Sequence, residues 1–205
     1  MGDNVRFIGT VNLDETTKDF SDRLLDRANL VSLRKGLLKD FRKEKKEFNQ
    51  KIVEEIEFTL QDFESWIKKD ITIDELLDDE IDLLDAMHML ISSKDPKKGV
   101  SFRIANKIST YLQNIPIDQE GEYILNRAEA LDIQIKQRIL TKIRGTERQF
   151  GNLIGNINLD SDEIINSSLY DIFNDQIATN IGEFKLTKDE IKKKARELTI
   201  YGYTN

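Results

Sequence analysis

Residues 8 to 29 read IGTVNLDETTKDFSDRLLDRAN. The run from Val5 to Val11 is short, β-branched and apolar, which is typical of a strand buried in a parallel sheet. It ends on the polar residue Asn12, and a polar loop then leads into a short predicted helix that carries Arg27. Because open α/β sheets bind ligands at the carboxyl ends of their strands, Asn12 is a candidate site residue.

Residues 29 to 33 predict a second strand, and no other segment of the sequence predicts a convincing one. Two strands cannot form a stable parallel sheet by themselves. We therefore expect either that these strands join a sheet outside this sequence or that the N-terminal part is poorly folded here. The first alternative predicts that the chain is the C-terminal portion of a longer protein.

The composition indicates a helix-rich protein and excludes several kinds of site. There is no Cys and a single His, which excludes disulfides and makes a zinc site untenable. The net charge of −7 disfavours nucleic-acid binding by the whole surface. No apolar run approaches the length of a membrane span and no signal peptide is visible, so we expect a cytoplasmic protein without a membrane partner.

Hydrophobic periodicity predicts that the rest of the chain is helical. Residues 35 to 69 carry a narrow apolar stripe, which is typical of a helical hairpin or coiled-coil-like arm. Residues 150 to 157 are ambiguous. The other predicted helices cover residues 72 to 92 with Thr72 as N-cap, 102 to 113 with Ser101 as N-cap, 123 to 143 ending near Gly145, 160 to 173 capped by Asp160 or Ser161, and 188 to 198 with Thr187 as N-cap.

The segment from residue 8 to residue 29 closely resembles the corresponding segment of McrB-like AAA+ NTPases, the motor subunits of modification-dependent restriction systems. The resemblance implies that Asn12 is sensor 1, which orients the attacking water. It also implies that Arg27 is the arginine finger, which acts on the nucleotide of a neighbouring subunit. The alternatives are that Asn12 only caps a turn, that Arg27 forms a surface salt bridge, or that Arg23 is the finger.

Arg103 is the third candidate, in the first turn of the helix after Ser101. This helix resembles the lid helix of related AAA+ proteins, whose Arg is sensor 2 and contacts the nucleotide in cis. Helix N-termini favour anions, which fits a phosphate contact. The alternative is that Arg103 pairs with the acidic helix at residues 74 to 85.

Residues 131 to 145 and 201 to 205 also resemble family segments. The first of these contributes to a basic run, which either faces nucleic acid or a neighbouring subunit or is simply a solvated helix face. The run consists of Lys136, Arg138, Lys142, Arg144 and Arg148.

The resemblance implies a mainly α fold, with a short α/β remnant of an AAA+ core that holds two strands. Residues 1 to 34 would be the C-terminal end of that core. Residues 35 to 70 would be a helical insertion or arm, and residues 71 to 205 a helical lid domain.

The parent protein would form a hexameric ring, hydrolyse GTP or ATP with Mg²⁺, and drive a partner nuclease on DNA. This sequence contains no Gly-x-x-x-x-Gly-Lys-Ser/Thr P-loop and no apolar strand ending in an Asp-Glu pair. We therefore expect the chain alone to be inactive and to bind no nucleotide tightly. The alternative function is a non-catalytic helical interaction module, or a truncated remnant of such a motor, whose stripe at residues 35 to 69 packs against a partner helix.

Overall fold

The computed structural model describes residues 7–11, 20–25, 27–31, 38, 39, 42, 59–118 and 120–204. In these ranges the protein is mainly helical, with two small antiparallel sheets. The α-helices are α1 (Asp22–Leu25), α2 (Leu60–Ser65), α3 (Asp78–Lys94), α4 (Phe102–Gln113), α5 (Arg127–Arg138), α6 (Glu147–Ile154), α7 (Ser168–Ile172), α8 (Gln176–Ile181) and α9 (Lys185–Tyr201). Short 3₁₀ helices cover Ile73–Glu75 and Leu140–Lys142.

The four strands are only two residues long. Strand β1 (Gly145–Thr146) pairs with β4 (Tyr203–Thr204), and β2 (Asn156–Ile157) pairs with β3 (Ile164–Ile165). Both pairs are antiparallel. Among the described helices, none has the length and apolar character needed to cross a membrane.

One hydrophobic core joins the helices from α3 onward. Helix α5 lies at its centre, since it packs against both α4 and α9. The fully buried large side chains include Leu83, Met87, Ile104, Ile108, Leu131, Ile135, Phe150 and Phe173. Helix α4 shows how the sequence pattern produces this packing. Ser101 accepts a hydrogen bond from the Ile104 N–H, and Ile104, Ile108 and Leu112 then recur every four residues on the core side. The prediction for residues 102 to 113 is confirmed.

The start predicted for α3, the helix that precedes α4, was wrong. Thr72 caps only the 3₁₀ turn at Ile73–Glu75, and α3 begins at Asp78. The carboxylate that closes the start of α3 belongs to Glu80, which accepts a hydrogen bond of 2.9 Å from the Leu77 N–H. The N-cap residue of a short 3₁₀ turn was therefore mistaken for the N-cap of the long helix.

The predicted arm at residues 35 to 69 lies largely outside the described residues, but its C-terminal part is visible. Thr59 is extended and caps α2. Its hydroxyl accepts a hydrogen bond from the Asp62 N–H, and the Asp62 carboxylate accepts one from the Thr59 N–H. A continuous helical stripe through Thr59 is therefore excluded, because this reciprocal cap starts a new helix there. Residues 38, 39 and 42 are helical.

Two other boundaries differ from the predictions. Helix α5 starts at Arg127, where Asn126 accepts from the Glu129 N–H, and not at Tyr123. The helix predicted over residues 160 to 173 is wrong in its first half, because Ile164–Ile165 pairs with Asn156–Ile157 as a hairpin. Adjacent β-branched side chains suit a strand better than a helix start. The ambiguous residues 150 to 157 contain the end of α6 and strand β2.

Gly145 opens a strand and does not cap the helix before it. Its φ of 151° lies in the range that L side chains rarely adopt, and a Cβ there would come within 2.9 Å of the Phe150 ring. Strand β4 pairs with it, directly after the left-handed Gly202 that ends α9. The closing Gly-Tyr-Thr segment thus folds back on Gly145, and the buried Thr204 hydroxyl donates to Glu197 at 2.6 Å.

The two predicted N-terminal strands are not seen in the residues that are described. Residues 7–11 and 29–31 have no regular secondary structure, and Ile8 is 96% exposed. A single apolar strand has no partner for its backbone N–H and C=O groups, so the pattern alone cannot form a sheet. The division at residues 34 and 70 stays a prediction.

Candidate functional site

The predicted site residues occupy different settings. Asn12 lies outside the described residues. Arg27 is exposed in the turn after α1, and its backbone N–H donates to the Leu24 carbonyl at 3.0 Å. Arg103 is exposed in the first turn of α4. Neither guanidinium bonds to the other or to another described side chain, so the structure does not join these two candidates into one site.

Helix α1, which precedes Arg27, is attached to the helical body. Leu25 is only 3% exposed, and α1 contacts the 3₁₀ helix Leu140–Lys142. We call the described residues from Phe20 to Ala28 the α1 segment, and two arginines hold its ends. Arg144 Nη2 donates to the Phe20 carbonyl at 2.9 Å, and Arg138 Nη1 donates to the Ala28 carbonyl at 3.4 Å.

We call the cluster of Arg138, Lys142, Arg144 and Lys194 the basic corner. Arg138 and Lys142 are buried, at 9% and 7% exposure. Arg138 Nε donates to the Gln134 side chain at 2.6 Å, and burial lowers the pKa of this guanidinium. The solvated-face alternative for the basic run is therefore wrong for these two residues, because they point into the protein. Arg148 is exposed, which both alternatives allow.

Lys98 adds a cation beside the basic corner. Its ammonium donates to the Arg144 carbonyl at 2.8 Å and lies 4.9 Å from the centre of the Phe150 ring. A cation over an aromatic face is stabilised by the ring quadrupole. The corner thus gathers several cations in an acidic protein, and three of them donate to backbone carbonyls: Arg138 to Ala28, Arg144 to Phe20 and Lys194 to Ile143.

Lys194 on α9 is a buried charged group that was not among the residues singled out from the sequence. It is 3% exposed, and its ammonium donates to the Ile143 carbonyl at 3.1 Å. Burial lowers the pKa of Lys194 to about 8, while Glu190 and Glu197 act in the opposite direction. Its position in the sequence does indicate burial. Lys194 follows the buried Ile191 by three residues and precedes the buried Leu198 by four, so it lies on an apolar stripe.

The buried Lys194 makes stability depend on pH. A lysine whose folded pKa is lowered binds more protons when unfolded, so stability rises as pH rises from about 8 toward the ordinary lysine pKa. We expect wild type to gain about 2 kcal/mol of unfolding free energy relative to Lys194→Met between roughly pH 7.5 and pH 9.5. Urea unfolding of both proteins at the two pH values measures this. A constant difference between them would contradict the assignment.

A second polar cluster joins the starts of α3 and α5. Arg127 Nε donates to Glu80 at 2.7 Å, and Arg127 Nη2 donates to the Glu75 carbonyl at 3.1 Å. Glu80 is 1% exposed, and its hydrogen bond raises the pKa of Arg127. An open cleft of 440 Å³ beside this pair is lined by Asp78, Asp79, Asn180 and Ile181. Both charges are used in pairing α3 with α5, so this cluster is structural.

Comparison with known proteins gives one family. Residues 36–203 match a family described as a domain of unknown function, DUF8727. The chain belongs to this family. The DUF8727 match includes the whole basic corner and excludes the α1 segment, Asn12 and Arg27. No curated protein and no solved structure was found to match the chain.

Proposed function

We propose that this chain supplies the sensor 1 and arginine-finger end of an AAA+ NTPase, together with its helical lid. The supporting observation is the Leu25-Asp26-Arg27 tripeptide within the segment that resembles McrB-like motors. Leu25 is buried against the DUF8727 domain, whereas Arg27 is exposed. An arginine that acts on a neighbouring subunit needs both an anchored backbone and a free side chain.

The proposed roles follow from the chemistry of the side chains. The amide of Asn12 would orient the attacking water. The guanidinium of Arg27 is planar and always charged, so it would stabilise the charge that spreads over a transferring phosphoryl group in the neighbouring subunit. Arg103, at the N-terminus of α4, would contact the nucleotide in cis, where the helix dipole also favours anions.

The nucleotide and its metal would be held elsewhere. The sequence has no P-loop, and no group of three or more Asp, Glu or His side chains in the described part of the chain could hold a metal ion. We propose that GTP or ATP with Mg²⁺ is bound by an AAA+ core that lies outside this sequence. The assembled parent would be a hexameric ring that drives a partner nuclease on DNA.

The reading frame upstream of residue 1 tests this proposal. An in-frame P-loop and an Asp-Glu strand should be encoded there, and the complete protein should hydrolyse GTP or ATP. A stop codon and promoter directly before residue 1 would overturn the motor proposal. So would a complete protein that contains a P-loop but turns over neither nucleotide in the presence of its partner nuclease and DNA.

The isolated 205-residue chain should bind ATP and GTP only weakly. Without a P-loop it lacks the cradle of backbone N–H groups that supplies most phosphate affinity. We expect dissociation constants above about 1 mM, which corresponds to a binding free energy of roughly 4 kcal/mol or less. Isothermal titration with each nucleotide measures this, and micromolar affinity would contradict it.

A second candidate function is a helical interaction module without catalysis. It is favoured by the boundaries of the family, because the DUF8727 match begins at residue 36, after the segment that resembles the motor. In this case the apolar stripe predicted at residues 35 to 69 would carry the function by packing against a partner helix. If removal of residues 1–34 leaves binding to the partner at the wild-type level, the interaction module is favoured over the motor.

A further inference from the structure

The α1 segment is too short to hold its own conformation. Helix α1 has four residues, whereas isolated helices shorter than about 12 residues are marginal in water. Its conformation and its direction therefore depend on contacts with the rest of the protein. Those contacts come from the C-terminal end of α5 and from the residues between α5 and β1, which belong to the DUF8727 domain.

Three contacts restrict the α1 segment. Leu25 fills an apolar position in its middle. Arg144 holds the carbonyl of Phe20, just before the helix, and Arg138 holds the carbonyl of Ala28, just after it. One point allows rotation and two allow a hinge, but three separated points fix both position and orientation. In the chain, Arg27 lies between Leu25 and Ala28, which are two of the three contact points.

Arg138 is a costly group to bury, and Arg144 beside it is half-buried. A guanidinium taken out of water must have hydrogen-bond partners, and a buried carbonyl must have a donor. Arg138 satisfies this with Gln134 on one side and Ala28 on the other. Arg144 reaches Phe20, while its own carbonyl is bound by Lys98.

We infer that Arg138 and Arg144 are positioning residues that orient Arg27 from the lid domain. A movement of the basic corner would move the finger, so the lid of one subunit would control hydrolysis in its neighbour. This inference rests on the proposed function for its catalytic consequence. The docking of residues 20 to 28 on the basic corner is separate from that function and is measured separately.

Hydrogen exchange on the 205-residue chain tests the docking. The N–H groups of Leu25 and Ala28 are bonded to the Ser21 and Leu24 carbonyls, so their exchange reports on α1. We expect Arg144→Gln and Arg138→Gln to speed exchange in a peptide covering residues 20–31 by about tenfold or more, since a hydrogen bond from a charged donor is lost. Exchange in α4 should stay unchanged, which shows that the variants are folded.

Controls and kinetics complete the test. Arg148→Gln removes an exposed cation from the same basic run and should leave exchange at residues 20–31 unchanged. Arg144→Lys keeps the charge and should restore part of the protection.

In the complete NTPase, Arg138→Gln and Arg144→Gln should lower kcat about tenfold or more with KM unchanged, because the finger acts in the transition state.

The possible outcomes separate the two claims. Unchanged exchange at residues 20–31 in both glutamine variants would overturn the docking. Faster exchange with kcat equal to that of Arg148→Gln would overturn the positioning role. A complete wild-type protein without turnover would overturn the proposed function, while the exchange data would still decide whether the basic corner holds the segment.

Discussion

Arg27→Ala is expected to abolish turnover in the proposed parent NTPase while leaving nucleotide binding intact. Arginine fingers contribute about 10³-fold or more to turnover, because they meet charge that develops only in the transition state. Arg27 is exposed and its backbone is anchored through Leu25, so truncating its side chain should leave the fold unchanged. Steady-state hydrolysis and equilibrium nucleotide binding, each measured on the assembled ring, give the two quantities.

Two arginines serve as controls for this prediction. Arg23→Ala tests the alternative finger, which lies on α1 and is also exposed. Arg148→Ala removes an exposed arginine from the DUF8727 domain and should leave turnover unchanged. Loss of turnover in Arg23→Ala with normal turnover in Arg27→Ala would transfer the finger role to Arg23. Normal turnover in both variants would remove the arginine-finger assignment from this segment.

The largest effect on stability is expected from Asp132→Ala. Asp132 on α5 is 5% exposed, and its carboxylate accepts hydrogen bonds of 2.8 Å from the N–H groups of both Leu186 and Thr187 at the start of α9. Alanine would remove the acceptor of both donors, and the Thr187 N–H lies in the core. The expected loss is about 3 kcal/mol of unfolding free energy, from two hydrogen bonds to a charged group. Urea unfolding measures it through the midpoint, with an unchanged m-value.

Matched variants separate the cap from a general charge effect. Asp85→Ala removes an exposed carboxylate from α3 and should change stability by less than about 0.5 kcal/mol. Asp132→Asn keeps one acceptor and should lose an intermediate amount. If Asp132→Ala and Asp85→Ala prove equally stable, the carboxylate of Asp132 does not hold the start of α9.

Asp132 also explains a prediction that failed. The sequence suggested that Thr187 caps the last helix, since Thr is a common N-cap residue. Helix α9 instead begins at Lys185, after Phe184 in a left-handed conformation with φ of 49°. Thr187 lies within the first turn, where its N–H donates to Asp132 and its hydroxyl donates to the Asp132 carbonyl. The cap comes from a residue 55 positions earlier in the chain, which no local pattern can indicate.

The same limit applies to the N-terminal segment. Residues 7–11 have the composition of a buried strand, yet they are exposed and unpaired with any described strand. A strand is stabilised by its neighbours, so its pattern describes an environment that the chain must supply. Residues 164 and 165, which the periodicity placed in a helix, form a strand because Asn156 and Ile157 lie opposite them.

The positive charges show most clearly the difference between what a local pattern indicates and what tertiary contacts decide. Arg138 follows the buried Leu131 by seven residues, and Lys194 lies between Ile191 and Leu198, so both occupy apolar faces of their helices. The sequence identified a basic run but predicted a solvated face as the more ordinary setting. Which charges are buried was decided by the meeting of α5, α9 and the α1 segment, where backbone carbonyls accept their hydrogen bonds.

The sequence by itself determined the helical class, the apolar faces and those helix starts whose caps are local, such as Ser101 before α4. These features depend on residues within one or two turns of each other. Only the tertiary structure decided the start of α9, the burial of Arg138 and Lys194, and the docking of Leu25. Each of these depends on groups that are distant in sequence, and a buried polar group is stable only where folding brings its partner to it.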